Sequence, residues 1–189
     1  MIKLGAKLFL SFSVLVLLAI FVWFYAVPQL QKKEQKQSQP EIVNVVKVND
    51  GDTFEIDMKD ESGKNYRVRM LGIDTPEKFD SDKLDRDAER TGKDKKTIQK
   101  LGELASDFTK ALIDKKKVRL EKEPNHEDKD KYGRLLRYVY LEDGTFVNKK
   151  IVSDGYANAY RQFKISKLDE MISAEKDARE NKRGLWGNE

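Results

Sequence analysis

The chain has 189 residues, room for one compact domain with extensions, and 39% of them are apolar against 37% charged. That balance allows a small core beneath a heavily charged surface. Lysine and arginine outnumber aspartate and glutamate by 37 to 33, a net charge of +4, too mild to name a nucleic-acid partner on its own. The absence of cysteine excludes disulfides, thiolate metal centres, cysteine nucleophiles and cysteine-linked lipids.

From Leu8 to Val27 the sequence reads LFLSFSVLVLLAIFVWFYAV, an apolar run long enough to span about 30 Å of hydrocarbon as a helix. Lys3 and Lys7 ahead of it would also suit a secretory signal. Signal cores, however, usually run to about 7 to 15 residues and close on small residues, whereas this run leaves through Phe24, Tyr25 and Pro28. Residues 1–28 therefore read as an uncleaved transmembrane anchor, with a cleaved signal as the alternative. Lys32, Lys33 and Lys36 follow the run, so flanking charge does not decide its orientation. Residues 29–40 carry glutamine and lysine and almost nothing apolar, the composition of a flexible linker. A globular domain over residues 41–189 follows.

Within it, Ile42 to Val48 and Thr53 to Met58 flank the turn signal Asn49-Asp50-Gly51, a β-hairpin pattern. A second turn at Ser62-Gly63 leads into a third strand, Tyr66 to Leu71, whose Arg67 and Arg69 share one face. Lys78 to Lys96 is almost wholly charged and reads as a solvated loop or irregular helix start. Ile98, Leu101, Ala105, Phe108 and Leu112 then recur at helical spacing, with Thr97 placed as the cap. Val118 to Leu120 and Leu136 to Leu141 read as strands separated by a polar loop, Glu121 to Gly133. A short helix over Asn148 to Asp154 and a longer one over Ser166 to Arg183, with Asp169 three residues after Ser166, complete the chain. This order predicts an α+β domain, an OB-type five-stranded Greek-key β-barrel with three helices.

Asp52 lies at the first hairpin and Asp74 directly after the third strand, so adjacent strands bring carboxylates together. Such a group repels itself unless a cation intervenes. With no cysteine and only His126 as a nitrogen donor, a hard divalent ion with oxygen ligands is the natural occupant. Arg69, and Arg134 in Asp130-Lys131-Tyr132-Gly133-Arg134, supply planar guanidinium groups that bind phosphate oxygens at any working pH. A cation, two arginines and a spare carboxylate suit phosphodiester hydrolysis. Each piece alone has a plainer reading: Asp50-Gly51 as a turn, Thr75-Pro76-Glu77 as a helix start, Arg67 and Arg69 as the wet face of a strand, His126 as a solvated loop residue.

Taken in order, V-N-D-G-D-T, R-M-L-G-I-D-T-P-E, D-K-Y-G-R and the closing G-L-W resemble the motifs of the staphylococcal nuclease family across Val43 to Trp186. The resemblance implies that Asp52 and Asp74 donate carboxylates, and Thr75 its backbone carbonyl, to a Ca2+ ion. It implies Glu77 as general base and Arg69 and Arg134 as phosphate ligands. The substrates implied are DNA and RNA, cut to leave 3′-phosphates. Lys131, Tyr132 and Tyr160 are the candidate substrate contacts, Tyr132 being open also to a buried structural role. Two departures from the pattern stand out: the segment after Glu77 is longer, and the far-wall tyrosine pair is reduced to Tyr160. A catalytically silent OB-type binding module is the alternative reading. Calcium use and the hazard of an internal nuclease favour a membrane-held domain facing outward, or a secreted one after cleavage.

Overall fold

The computed structural model describes residues 17–29, 41–124 and 126–188. The chain divides into two units, Met1–Gln39 and Pro40–Glu189. In the first, residues 17–29 are helical, with a wider i→i+5 turn across Val22–Ala26. The helix includes Gln29, one residue into the expected linker. Among the described residues no helix is long and apolar enough to cross a membrane. Positions 8–16 of the expected span and 30–40 of the expected linker lie outside the described residues.

The second unit is built on a closed barrel. Its strands are β1 (Glu41–Val48), β2 (Thr53–Lys59), β3 (Asn65–Met70), β5 (Lys117–Glu121) and β6 (Leu135–Leu141), with β4 (Ile73–Asp74) and β7 (Asn158–Ala159) forming a separate two-stranded sheet. The barrel order is β1-β2-β3-β6-β5, antiparallel except where β6 runs parallel to β3. In β1 the side chains alternate, Val43 and Val45 inward, until a register shift between Val45 and Lys47 after which Val48 points inward. Such a bulge tightens the local twist and helps a short sheet to close. Val45, Phe54, Ile56, Val68, Met70, Leu120 and Val139 fill the interior.

Among the described residues four α-helices accompany the barrel, where three helices were expected, and a short 3-10 turn over Gly184–Asn188 follows the last. Helix α1 (Asp82–Thr91) occupies the charged segment read as a solvated loop or irregular helix start, and settles it as a helix. Ser81 caps it by accepting from the Leu84 N–H, Asp82 and Asp85 lie in its first turn, and Gly92 ends it in the left-handed region. Its apolar anchor is thin, with Leu84 the only buried apolar residue, so it shows no hydrophobic stripe. Helix α2 (Lys95–Ile113) starts earlier than expected because Asp94, not Thr97, is the cap: the Asp94 side chain accepts from the Thr97 N–H. Its buried face is Ile98, Gly102, Ala105, Ser106, Thr109 and Ile113, while Leu101, Phe108 and Leu112 are only half-buried.

Helix α3 (Val147–Ser153) packs on β6, and its Asn148 is fully enclosed, accepting from the Val139 N–H at 2.9 Å and donating to the Leu71 carbonyl at 2.9 Å. Helix α4 (Leu168–Glu180) is shorter at both ends than Ser166 to Arg183. Ser166 does not cap it, because its hydroxyl donates instead to Glu123 at 2.7 Å. Gly72, Gly155 and Gly184 carry positive φ where a side chain has no space. A Cβ on Gly72 would meet Met171 and Ile165, and one on Gly155 would lie 2.2 Å from the Arg183 carbonyl oxygen.

Candidate active site

Strand register brings the first acid and the first arginine together. Thr53 pairs with Arg69 across β2 and β3, and the Met70 N–H donates to the Asp52 carbonyl at 2.9 Å. Asp52, one residue before Thr53, therefore sits beside the Arg69 side chain. One guanidinium nitrogen, Nη1, donates to both Asp52 oxygens at 2.7 Å, while Nη2 lies 3.5 Å from Asp74 Oδ1. Asp74 is delivered by β4, which is held against β7 through the pair Asp74 and Asn158.

Arg134 arrives from the other side. In β6 Leu135 lies opposite Val68, so the residue before it enters next to β3. The turn through Gly133, with φ of 76°, lets Asp130 hold Arg134 by its backbone N–H at 3.0 Å and its Nε at 2.7 Å. Arg134 Nη1 then reaches Thr53 Oγ1 at 3.4 Å, and that hydroxyl donates to Asp52 at 3.0 Å. Arg134, Thr53, Asp52, Arg69 and Asp74 thus form one continuous polar chain.

Helix α2 clamps both acid-bearing segments. Thr109 Oγ1 donates to the Gly51 carbonyl at 2.8 Å, and Lys78 Nζ donates to Ser106 Oγ at 2.8 Å. Gly102 lets the helix backbone close on the Pro76–Lys78 backbone, since a Cβ there would lie 2.8 Å from three of its atoms. Glu77 is half-buried and its Oε1 accepts from the Phe79 N–H at 3.0 Å.

The charges are strongly perturbed. Burial would raise the Asp52 carboxyl, but Arg69, then Lys83 and the Thr53 hydroxyl, hold it below the ordinary carboxylate range. Asp74 is raised, mainly by burial and also by Asp52, against the pull of Lys83 and Arg69. Asp50 is pushed up to about 7 by burial and by neighbouring Asp52. Carboxylates forced apart in this way mark a place where positive charge is wanted.

Part of that charge comes from Lys83 on α1. Its Nζ donates to the Thr75 carbonyl at 2.7 Å and lies 3.4 Å from Asp74 Oδ1 and 3.7 Å from Asp87 Oδ2. Among the described residues no three histidine, cysteine, aspartate or glutamate side chains are grouped closely enough to hold a metal. The donors at hand are instead two aspartates and a backbone carbonyl, all oxygen, with an ammonium already seated on two of them. That set fits a hard cation.

The expected substrate contacts are distributed unevenly. Tyr132 is 63% exposed, which removes the buried alternative, and both Lys131 and Arg134 lie over its ring, at 5.0 and 5.4 Å from the centroid. Tyr160 is tied to the β3–β4 turn by its N–H donating to Gly72 O at 2.9 Å, and its ring meets Phe163 at 5.3 Å. His126, set aside on sequence, packs edge-on against Phe163. Sequence reasoning missed Lys83, hidden in a charged run, and Gly102, Ser106 and Thr109, which look like breaks in an apolar stripe. It also gave no role to Asp130, although its position four residues before Arg134 was a usable signal.

Residues 67–188 match the family described as staphylococcal nuclease homologue. The thermonuclease of Staphylococcus hyicus is 38% identical over 145 residues, covering 76% of this chain and 75% of that protein. The thermonuclease of Staphylococcus intermedius is 36% identical over 156 residues, 82% of each. An uncharacterized endonuclease of Escherichia coli O157:H7 is 33% identical over 144 residues, 76% of each. A barrel that carries paired acids and arginines in this register, matched over most of its length by such relatives, belongs to the staphylococcal nuclease family.

Proposed function

We propose that the chain is an endonuclease that hydrolyses phosphodiester bonds of DNA and RNA with a divalent cation, Ca2+ being the best match to an all-oxygen donor set, and leaves 3′-phosphate ends. The observation that carries the reading is the unbroken chain from Arg134 through Thr53, Asp52 and Arg69 to Asp74. Asp52, Asp74 and the Thr75 carbonyl would hold the cation, which when bound supplies charge neutralisation and a more acidic water.

The protein's own groups do the remaining work. Arg69 and Arg134 bind the scissile phosphate and offset the charge that builds on it in the transition state. Each is pre-oriented by an aspartate, Asp52 for Arg69 and Asp130 for Arg134. Glu77 takes the proton of the attacking water, its carboxylate fixed at one oxygen by the Phe79 N–H. Tyr132 and Lys131 border the substrate on the Arg134 side and Tyr160 on the β7 side.

Single-stranded DNA digestion with added Ca2+, with and without chelator, tests the reading. Activity that needs the cation and vanishes in Asp52→Asn is expected. Cleavage undiminished by chelation, or none under any divalent metal, sinks it. The Leu8 to Val27 run supports a membrane-held domain, and calcium use with the hazard of an internal nuclease favours the outer face, with a secreted form after cleavage as the variant. Protease added to intact cells should remove the domain, and full protection until lysis would reverse that placement.

A further inference from the structure

Besides Arg69, a second cationic side chain sits on the proposed metal ligands, and it comes from α1, in the charged segment read from sequence as a solvated loop or irregular helix start. Lys83 Nζ makes its shortest contact, 2.7 Å, to the Thr75 carbonyl, and lies 3.4 Å from Asp74 Oδ1. Those are two of the three oxygen groups that a divalent ion would use. An ammonium and a divalent cation cannot share them, because like charges a few ångströms apart repel.

We propose that Lys83 is a built-in competitor for the cation, so that metal binding must lift its ammonium from Thr75 and Asp74 and loosen helix α1. The claim rests on the cation site put forward above. Two features suit Lys83 to this role. Its stem springs from the first turn of α1, whose only buried apolar residue is Leu84, so the helix yields at small cost. Its second partner on the same helix, Asp87 Oδ2 at 3.7 Å, retains the ammonium after displacement. Asp87 also borders a cavity of about 300 Å³ shared with Asp74, Thr75 and Arg90, which leaves room for that withdrawal.

Competition has a defined consequence. If the ammonium holds the site for most of the time, apparent metal affinity falls by the fraction of molecules left open, roughly 10- to 100-fold for a charged hydrogen bond of this kind. The enzyme then works only where the cation is abundant, and the Lys83 contact sets that threshold. The same contact discriminates by charge, since a monovalent ion gains little over an ammonium already in place.

The test measures Ca2+ binding by calorimetry on the full chain for wild type, Lys83→Met, Lys83→Gln and Asp52→Asn. It also follows hydrogen exchange of the Asp82–Thr91 amides with and without Ca2+. Both Lys83 variants should bind Ca2+ at least about 10-fold more tightly than wild type. Exchange of α1 should quicken with Ca2+ in wild type and already be fast in the variants without it. Equal Ca2+ affinity in wild type and both Lys83 variants, with Asp52→Asn losing binding, overturns the competitor while leaving the cation site standing. So does an α1 that Ca2+ slows alike in all folded proteins. No binding by wild type or by either Lys83 variant overturns both this inference and the metal reading beneath it.

Discussion

Gly102→Ala should separate the geometry of the site from the stability of the fold. A Cβ at Gly102 would lie 2.8 Å from the Glu77 carbonyl carbon, the Lys78 nitrogen and the Pro76 oxygen. All three are backbone atoms, so none can turn aside as a flexible side chain would. To restore an ordinary 3.4 Å contact, the segment carrying Glu77 must retreat by about 0.6 Å or the helix must shift equally. Alanine favours the helix by about 1 kcal/mol over glycine, while overpacking costs about 1 to 3 kcal/mol. The net loss of stability is therefore modest, about 0 to 2 kcal/mol, and the protein folds. Catalysis is less tolerant, because a misplacement of about 1 Å can cost 10²-fold. We expect kcat on single-stranded DNA to fall by about 10-fold or more, with a urea transition close to that of wild type. A folded variant with wild-type kcat would refute the claim that α2 sets the position of Glu77.

Four further outcomes follow from the same contacts. Arg134→Ala should lower kcat/KM by about 10² to 10³ with an unchanged circular dichroism spectrum; a loss under 3-fold, on the order of an exposed contact, counts against a phosphate ligand there. Asp130→Asn, which keeps the fold of the turn but weakens the grip on Arg134, should give a smaller loss of rate, and a larger one than Arg134→Ala is the contrary result. Thr109→Val leaves the Gly51 carbonyl without its donor and should cost about 1 to 3 kcal/mol in urea unfolding; no change would mean the carbonyl finds water. Tyr138 is buried and donates to Glu123 at 2.7 Å, and burial first, then that carboxylate, raises its hydroxyl above the ordinary tyrosine range. The unfolded chain loses this proton near pH 10 while the native protein keeps it, so stability falls as pH rises past about 10, by at most about 1.4 kcal/mol per unit. Tyr138→Phe should flatten that alkaline slope, and an identical slope in both proteins removes Tyr138 as its source.

The barrel was legible because its strands carry period-two patterns and turn residues at the right places, and the meeting of Asp52, Arg69, Asp74 and Arg134 because they lie at or beside the ends of adjacent strands. What escaped were features whose cause is tertiary. Helix α1 has one buried leucine, so its evidence lay in Ser81 and Gly92 at its ends rather than in a stripe. The buried face of α2 includes Gly102, Ser106 and Thr109 because there the helix meets the Pro76–Lys78 backbone, the Lys78 ammonium and the Gly51 carbonyl, beside the apolar Ile98, Ala105 and Ile113, whereas an apolar count adds the half-buried Leu101, Phe108 and Leu112. Ser166 was drawn off its expected cap by Glu123, more than forty positions away in sequence, a competition no local pattern reveals.

The grip of α2 on Gly51 and on Pro76–Lys78 also decides which parts of the molecule can breathe. Both acid-bearing turns are fastened to a helix that ends in the core at Ile113, so they share the cooperative unit of the barrel and open only when it unfolds. Helix α1, fixed by one leucine and a few ion pairs, lies at the other end of that range. Residual activity during heating should therefore report unfolding of the whole barrel, while protease nicking should begin around Asp82–Thr91 well before any activity is lost.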